Sequence, residues 1–242
     1  MHRRKVAAGE HKATKVNPKV FEEVRKGWKD WDQKRASTQA SYEITVKKLL
    51  QFSNAHPVEK ILSIGTIAAT GLPVDSKIHT VDIGKLSTEF PMPRTQHTRG
   101  DALRLPFKDN TFGLVTSSFT MAYVGGRKKF AEEFYRVMKP GGEGLLILHC
   151  PASGLVRLAE IAHKRLSDKG VGDDLIMKNP FLQLGQLKGN MFANKEEAAV
   201  FFSEVGFEVV SVSRVSSKQE QFHGELEGWE VRLRKPENKK PA

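Results

Sequence analysis

Two phrases constrain this chain more than anything else in it: Gly100-Asp-Ala-Leu-Arg-Leu-Pro-Phe107, continued by Asp109-Asn-Thr-Phe112, and Tyr135-Arg-Val-Met-Lys-Pro-Gly-Gly142. An acid-bearing loop leads into an apolar run at Phe112 to Thr116. An amphipathic stretch then ends at Met138, and Lys139-Pro-Gly-Gly142 turns into a second apolar run. Strand, helix and strand in this order predict half of an open, mostly parallel α/β sheet.

The other elements follow from the same periods. Pro18, then Phe21, Val24, Trp28 and Trp31 at three- and four-residue spacing predict a helix with an apolar stripe. Ser41 to Phe52 predicts a second, with Ile44, Leu49, Leu50 and Phe52 inward and Lys47 and Lys48 outward. Ile61 to Gly65, Ile78 to Asp82, Gln96 to Arg99, Thr111 to Ser117 and Glu143 to His149 read as five strands of the parallel part. A helix from Gly126 to Met138 joins the last two, burying Phe130, Phe134 and Val137. Gly154 to Leu166 and Lys195 to Val205 read as further helices, and no clear period runs from there to Asn190 in the stretch between them. Gly206 to Ser213 and Gly228 to Arg234 complete the set as strands six and seven. Ligands of such sheets bind beyond the carboxyl ends of the strands. Gly65, Asp82, Asp101, Ser117 and His149 all fall at that edge.

Charge bounds the partners. The formal net charge of the 242 residues is +11. Arg3, Arg4, Lys5, Lys12, Lys15 and Lys19 against Glu10 give residues 1–19 a net +5, and five bases against Glu237 give residues 232–242 a net +4. Only +2 is left for the rest. This predicts a basic flexible tail at 1–19, a helical extension at 20–56, a nearly neutral sheet domain at 57–234 and a basic tail at 235–242. Such tails either track RNA or an acidic protein electrostatically or serve as solvated ends. No apolar run reaches the length needed to span a bilayer, so a soluble protein is expected. The single cysteine, Cys150, excludes an internal disulfide and a zinc site built on paired cysteines. A reducing, cytoplasmic setting fits, and the basic start leaves a mitochondrial presequence open.

With the two phrases in this order, the chain resembles the class I S-adenosylmethionine-dependent methyltransferases that carry a G-D-A-x-x-L-P-F loop and an R-V-L-K-P-G-G turn. The resemblance runs from Lys60 to Leu233. It implies a Rossmann-like, seven-stranded, mostly parallel sheet whose last strand is antiparallel, and methyl transfer from S-adenosylmethionine to an acceptor that the sequence does not identify. It also implies that the N-terminal helices lie over the cofactor and substrate mouth. By the same resemblance Asp82 accepts the ribose hydroxyls, Asp101 accepts from the adenine amino group, and the backbone of Ala102 and Leu103 lies beside the ring. Gly65 admits a close backbone approach, and Ser117 completes the cofactor set. The residue-level alternative for either aspartate is an Asx turn or a helix cap.

The first loop departs from the family pattern. Where relatives carry an acid and three alternating glycines, this chain has Ser63, Gly65, Ile67 and Ala69. Thr66 to Lys77, containing Gly71 and Pro73, leaves little room for a crossover helix. Thr70-Gly71 is a candidate for a displaced tight turn. Ser117, Ser118, Tyr123 and His149 are the candidate proton acceptors at the functional edge, none with a diagnostic spacing. His149 reads either as a base or as a satisfied buried histidine. Cys150, in His149-Cys-Pro151, lacks the Thr-Cys pair of cytosine-methylating RNA enzymes, and Asn179-Pro-Phe181 lies in the wrong place for an amino-group methyltransferase loop. Two readings stay open: an active methyltransferase, and a methyltransferase-fold module without cofactor that binds RNA or an acidic partner.

Overall fold

The structure, a computed structural model, describes residues 60–65, 78–83, 96–176, 183–184, 186–217 and 226–237. The basic segment 1–19, the two helices expected within 20–56, the stretch with Ile67, Ala69 and Gly71, the Pro91 and Pro93 stretch, Asn179 to Phe181 and residues 238–242 lie outside the described residues.

Seven strands form one sheet in the order β3-β2-β1-β4-β5-β7-β6. They are β1 (Ile61–Ile64), β2 (Ile78–Asp82), β3 (Gln96–Arg99), β4 (Phe112–Ser118), β5 (Met138–His149), β6 (Glu208–Ser217) and β7 (Leu226–Arg234). Strands β3, β2, β1, β4 and β5 are parallel, and β7 inserts antiparallel between β5 and β6. This is the expected Rossmann-like sheet, with β7 as its reversed strand.

Every residue of β1 is buried, because both faces of a central parallel strand are covered. On one face Leu62, Ile64, Val115, Leu146 and Leu148 meet Phe130 and Phe134 of the Arg127–Val137 helix and Ala198 and Phe202 of the Lys195–Val205 helix. On the other, Ile61, Ile78, Leu114, Leu145, Ile147 and Val215 form a second cluster with Phe119 against it. Alternate residues of each strand thus feed opposite cores. The Gly154–Asp168 helix starts where Ser153 Oγ accepts the Val156 N–H at 3.2 Å. The Lys195–Val205 helix starts where Asn194 Oδ1 accepts the Glu197 N–H at 2.8 Å. The stretch without a period holds a short helix at Asp173–Ile176 and a tight turn at Leu187–Asn190.

Lys139-Pro-Gly-Gly142 is not a turn ahead of β5 but the bulged beginning of that strand. Phe112 pairs with Met138, yet Leu114 pairs with Glu143, so the extra residues loop out of the ladder. Pro140, which has no N–H to give, sits in the irregular part.

The C-terminal charge is also partly structural. Arg232 pairs with Glu230 at 2.9 Å, and Arg234 reaches Glu143 at 3.5 Å and Glu208 at 3.7 Å. Lys235 is 8% exposed, and its ammonium donates to Asn110 Oδ1 at 2.8 Å and to the carbonyls of Tyr135 and Met138 at 3.0 Å. It also lies 4.4 Å from the centre of the Tyr135 ring. These bases clamp the sheet end opposite the functional edge. No helix among the described residues is long and apolar enough to cross a membrane, and Cys150 is a free, buried thiol.

Candidate active site

The carboxyl ends of the five parallel strands converge because the strands share a direction. Beyond their last residues the ladder continues through the backbone: Gly65 N–H donates to Val81 O and Gly100 N–H to Asp82 O, each at 2.9 Å. The ends of β1, β2 and β3 are thereby joined into one rim, with half-buried Asp82 in its middle. Arg99, paired in register with Asp82, donates its Nε to Ile83 O at 3.0 Å and steadies the backbone just past the carboxylate.

Asp101 begins an Asx turn. Its Oδ1 accepts the Leu103 N–H at 2.8 Å, and its carbonyl accepts the Arg104 N–H at 2.9 Å. The local alternative for this aspartate is therefore realised, and the Leu103 N–H is engaged internally. Asp101 remains exposed, with Ala102 and Leu103 half-buried beside it. Gly100 is required by packing: a Cβ there would lie 2.9 Å from Pro106 Cδ and from Val81 Cγ2.

What holds this loop was not apparent in the sequence. The Leu105 N–H donates to Glu133 Oε2 at 2.7 Å, and Arg136 donates to Leu105 O at 2.9 Å, Phe107 O at 2.8 Å and Asp109 Oδ1 at 2.7 Å. Arg136 also grips both Glu133 oxygens, at 2.9 and 2.8 Å. Hydrogen bonding from Arg136 holds the Glu133 carboxyl below its usual range against the opposing effect of burial, and Leu105 N–H and Lys129 assist. The two sequence phrases are thus physically one unit, since an arginine of the second fastens the loop of the first. A Glu and an Arg three residues apart on a helix was the only local signal.

Gly65 has a reason internal to the protein. It sits at φ +81°, and a Cβ built there would overlap Thr120 Oγ1. Thr120 in turn donates within reach of Ile64 O at 3.3 Å and Ser118 O at 3.1 Å. The close approach expected of a ligand is made by Thr120. Gly65→Ala should therefore cost about 1–2 kcal/mol from the left-handed backbone alone, and more from the overlap. In a Thr120→Ala background the overlap with Oγ1 is gone and only the backbone part and the tighter contact with the Cβ of residue 120, 3.1 Å away, should remain, which thermal unfolding of the four combinations will read.

Ser117 is buried, and its hydroxyl donates to Ile64 O at 2.9 Å, tying β4 to β1. Ser63, standing where the family pattern has an acid, is fully buried, and its hydroxyl has no partner among the described residues. Tyr123 is half-buried, and burial of its hydroxyl raises the phenol well above its usual range.

His149 closes β5 and is 5% exposed, but it is not the satisfied buried histidine that the sequence suggests. Among the described residues neither ring nitrogen has a hydrogen-bond partner. Its ring lies 4.5 Å from that of Phe119 and 5.9 Å from that of Tyr123, and burial pushes its pKa down to about 3. Phe119 itself adopts φ +57°, an outlier for a bulky residue. Cys150 follows, 3% exposed, its carbonyl accepting the Ser153 N–H at 3.0 Å. Among the described residues no cluster of His, Cys, Asp or Glu is arranged to hold a metal ion.

Comparison with known proteins agrees with this architecture. Residues 66–146 match the family described as "Methyltransferase domain". A demethylmenaquinone methyltransferase of Streptomyces griseus is 36% identical over 100 residues, covering 37% of this chain and 42% of the relative. A demethylmenaquinone methyltransferase of Lactiplantibacillus plantarum is 33% identical over 109 residues, covering 40% of this chain and 46% of the relative. The matches thus span less than half the length of these relatives. Among solved structures, a SAM-dependent methyltransferase of Thermotoga maritima superposes with a TM-score of 0.57 at 21% identity, covering 90% of this chain and 98% of that one. One from Aquifex aeolicus superposes with a TM-score of 0.53 at 16% identity, covering 91% and 100%. With β7 reversed between β5 and β6, the sheet has the fold of the class I S-adenosylmethionine-dependent methyltransferases, and its first half carries the match to the methyltransferase domain family.

Proposed function

We propose that the protein binds S-adenosylmethionine along the rim formed by the ends of β1, β2 and β3 and transfers its methyl group to an acceptor at the ends of β4 and β5. The observation that carries the reading is the backbone continuity from Gly65 through Val81 and Asp82 to Gly100, which sets Asp82 at the rim beside the chain that leads into the Asp101 turn. These residues fit the nucleoside end of the cofactor. An ionised carboxylate at a strand end accepts both hydroxyls of a ribose diol. The rigid turn at Asp101 offers a polar edge flanked by Ala102 and Leu103 for an adenine. The first loop departs from the pattern at the other end, where Ser63 is buried inside the sheet and Thr120 occupies the space beside Gly65.

When bound, the cofactor supplies an electrophilic methyl group on a sulfonium. The protein's part is then proximity and alignment: the Arg136-braced loop fixes the nucleoside, and the ends of β4 and β5 present the acceptor. Displacement at a methyl group needs a general base only when the nucleophile must lose a proton.

Calorimetric titration of the purified protein with S-adenosylmethionine and adenosylhomocysteine tests the reading. Asp82→Ala should weaken binding by about 1.5–3 kcal/mol in protein shown by its unfolding transition to be folded. Unchanged affinity in this variant removes Asp82 from the site. A folded parent that binds neither compound points to a cofactor-free module.

A further inference from the structure

We propose that the protein associates with a second copy of itself, the outer face of the Gly154–Asp168 helix of one copy packing on the outer face of the Lys195–Val205 helix of the other. Three large apolar side chains are well exposed among the described residues: Ile161 (48%), Val200 (58%) and Val210 (49%). A lone exposed aliphatic residue is ordinary. Ile161 and Val200 differ from that case in what surrounds them.

On the Gly154–Asp168 helix, Val156 and Ala159 face inward against Ala122, Leu184 and Met191. Arg157, Ile161, Lys164 and Arg165 share the outer face, the last three following the first by four, seven and eight residues, and all are exposed. None of these three cations is in an ion pair among the described residues. Glu160, at the edge of the face, is taken by Lys188 at 2.7 Å, and Asp168 in the last turn is the one acid on it. Arg127, Arg136, Arg214, Arg232 and Arg234, by contrast, each meet a carboxylate within the protein.

The Lys195–Val205 helix repeats the spacing with the charge inverted. Ala198 and Phe202 enter the core, which leaves Glu196, Val200, Ser203 and Glu204 on the outside, again separated by four, seven and eight residues. Glu204 has no ion pair among the described residues, and Glu196 has only Lys195 at 3.8 Å, both side chains being largely exposed. Glu197 is turned aside, toward Arg127 and the Ala193 N–H.

One helix thus carries a cation four residues before and four after an exposed isoleucine, and the other an acid four residues before and four after an exposed valine. Both patterns are symmetric about their apolar centre. Laying Ile161 on Val200 therefore sets Arg157 and Arg165 against Glu196 and Glu204 in either relative direction of the helices. An apolar centre inside a charged rim is the usual anatomy of an interface, and the opposed charges steer the encounter. A phosphate backbone would meet the cations but would leave Ile161 and the acidic counterpart without a role. One helix on another buries less than the about 800 Å² per partner of a standard interface, so the association is weak and concentration-dependent.

Sedimentation velocity of the full chain over a range of protein and salt concentrations tests the proposal. The mean mass of the parent should rise with protein concentration and return toward the monomer as salt is added. Arg157→Glu with Arg165→Glu, and separately Glu196→Arg with Glu204→Arg, should each lower the association constant at least about tenfold. An equimolar mixture of these two variants, and the chain carrying all four substitutions, should recover to within about threefold of the parent. All four side chains are exposed, and an unfolding transition for each variant verifies that it is folded. A parent that stays monomeric at every concentration overturns the proposal, as does a folded variant that associates unchanged or a mixture no stronger than its components. A monomeric parent that binds polyuridylate through Arg157 and Arg165 assigns the basic face to a polyanion and overturns it as well.

Discussion

Arg136→Leu should destabilise the protein by about 3–5 kcal/mol, the range found when one partner of a buried ion pair is removed. The reason is the state in which the substitution leaves its neighbours. The Glu133 side chain is 8% exposed, and Arg136 is its bidentate partner. Among the described residues only Lys129, more than half exposed and 3.7 Å away, remains paired with it. The carbonyls of Leu105 and Phe107 lose their donor at the same time. By contrast Asp109→Ala, which removes a partner that is 68% exposed, should cost no more than about 1 kcal/mol.

Replacing Glu133 and Arg136 together by leucine should recover much of the loss, because no uncompensated buried charge remains. Denaturant unfolding of the three variants measures this coupling, and hydrogen exchange at the Leu105 amide reports whether the loop has come free. A loss below about 1 kcal/mol in Arg136→Leu would mean that Leu105 and its apolar contacts hold the loop unaided. The functional corollary is that the same variant weakens adenosylhomocysteine binding through the loop, although Arg136 lies on the helix behind it.

The second large effect is in acid. The parent should lose stability as pH falls from 6.5 toward 4.5, and His149→Phe should lose markedly less over the same interval. In the unfolded chain this imidazole titrates near 6.5, whereas the folded protein refuses the proton until the pH nears 3. Below 6.5 the unfolded state therefore binds a proton that the folded state does not, and the equilibrium shifts toward unfolding. Above 6.5 both states hold a neutral ring, and stability from this source is constant. A single group contributes about 1.4 kcal/mol per pH unit, so the difference between parent and variant should approach about 3 kcal/mol at the bottom of the interval.

The shift arises from burial alone. Phe119 and Tyr123 face the ring, and of the acids on β7, Glu227 beside Gly228, the residue opposite His149, is matched to Arg214, and Glu230 opposite Ile147 to Arg232. His79, also lowered by burial with help from Lys60, acts in the same direction and is common to both proteins, so it cancels in the comparison. Glu133, held below its usual range, adds its loss only at lower pH, which is why the comparison stops near 4.5. Parallel slopes for parent and variant would place a water-accessible ring at position 149.

Most of the sheet was legible in the sequence because its information is local. Ile61 to Ile64 and Ile78 to Asp82 are short apolar runs ended by Gly65 and an acid, and the rule that parallel strands bind ligands at their carboxyl ends puts Asp82 and Asp101 on one rim. Phe130, Phe134 and Val137 announce a helix by their spacing, and that helix is present at Arg127–Val137. Boundaries were less legible. Met138 opens β5 instead of closing a helix, since pairing with Phe112 across the sheet outweighs the local turn chemistry of Pro140 and its glycines.

The contacts that give the site its character were set by tertiary structure. Asp101 is a turn-former by its own local geometry, as its neighbours alone allow. Thr120 beside Gly65, Arg136 around Leu105 and Phe107, and Lys235 against Asn110 each join residues far apart in the chain. Whether a given arginine is a solvated charge or the clasp of a loop depends on which carbonyls the fold brings within 3 Å of it. His149 shows the same division most clearly. Its place at the end of β5 follows from the apolar run before it, but its missing partners follow from the packing of Phe119 and Tyr123, and no sequence period encodes what a folded side chain fails to touch.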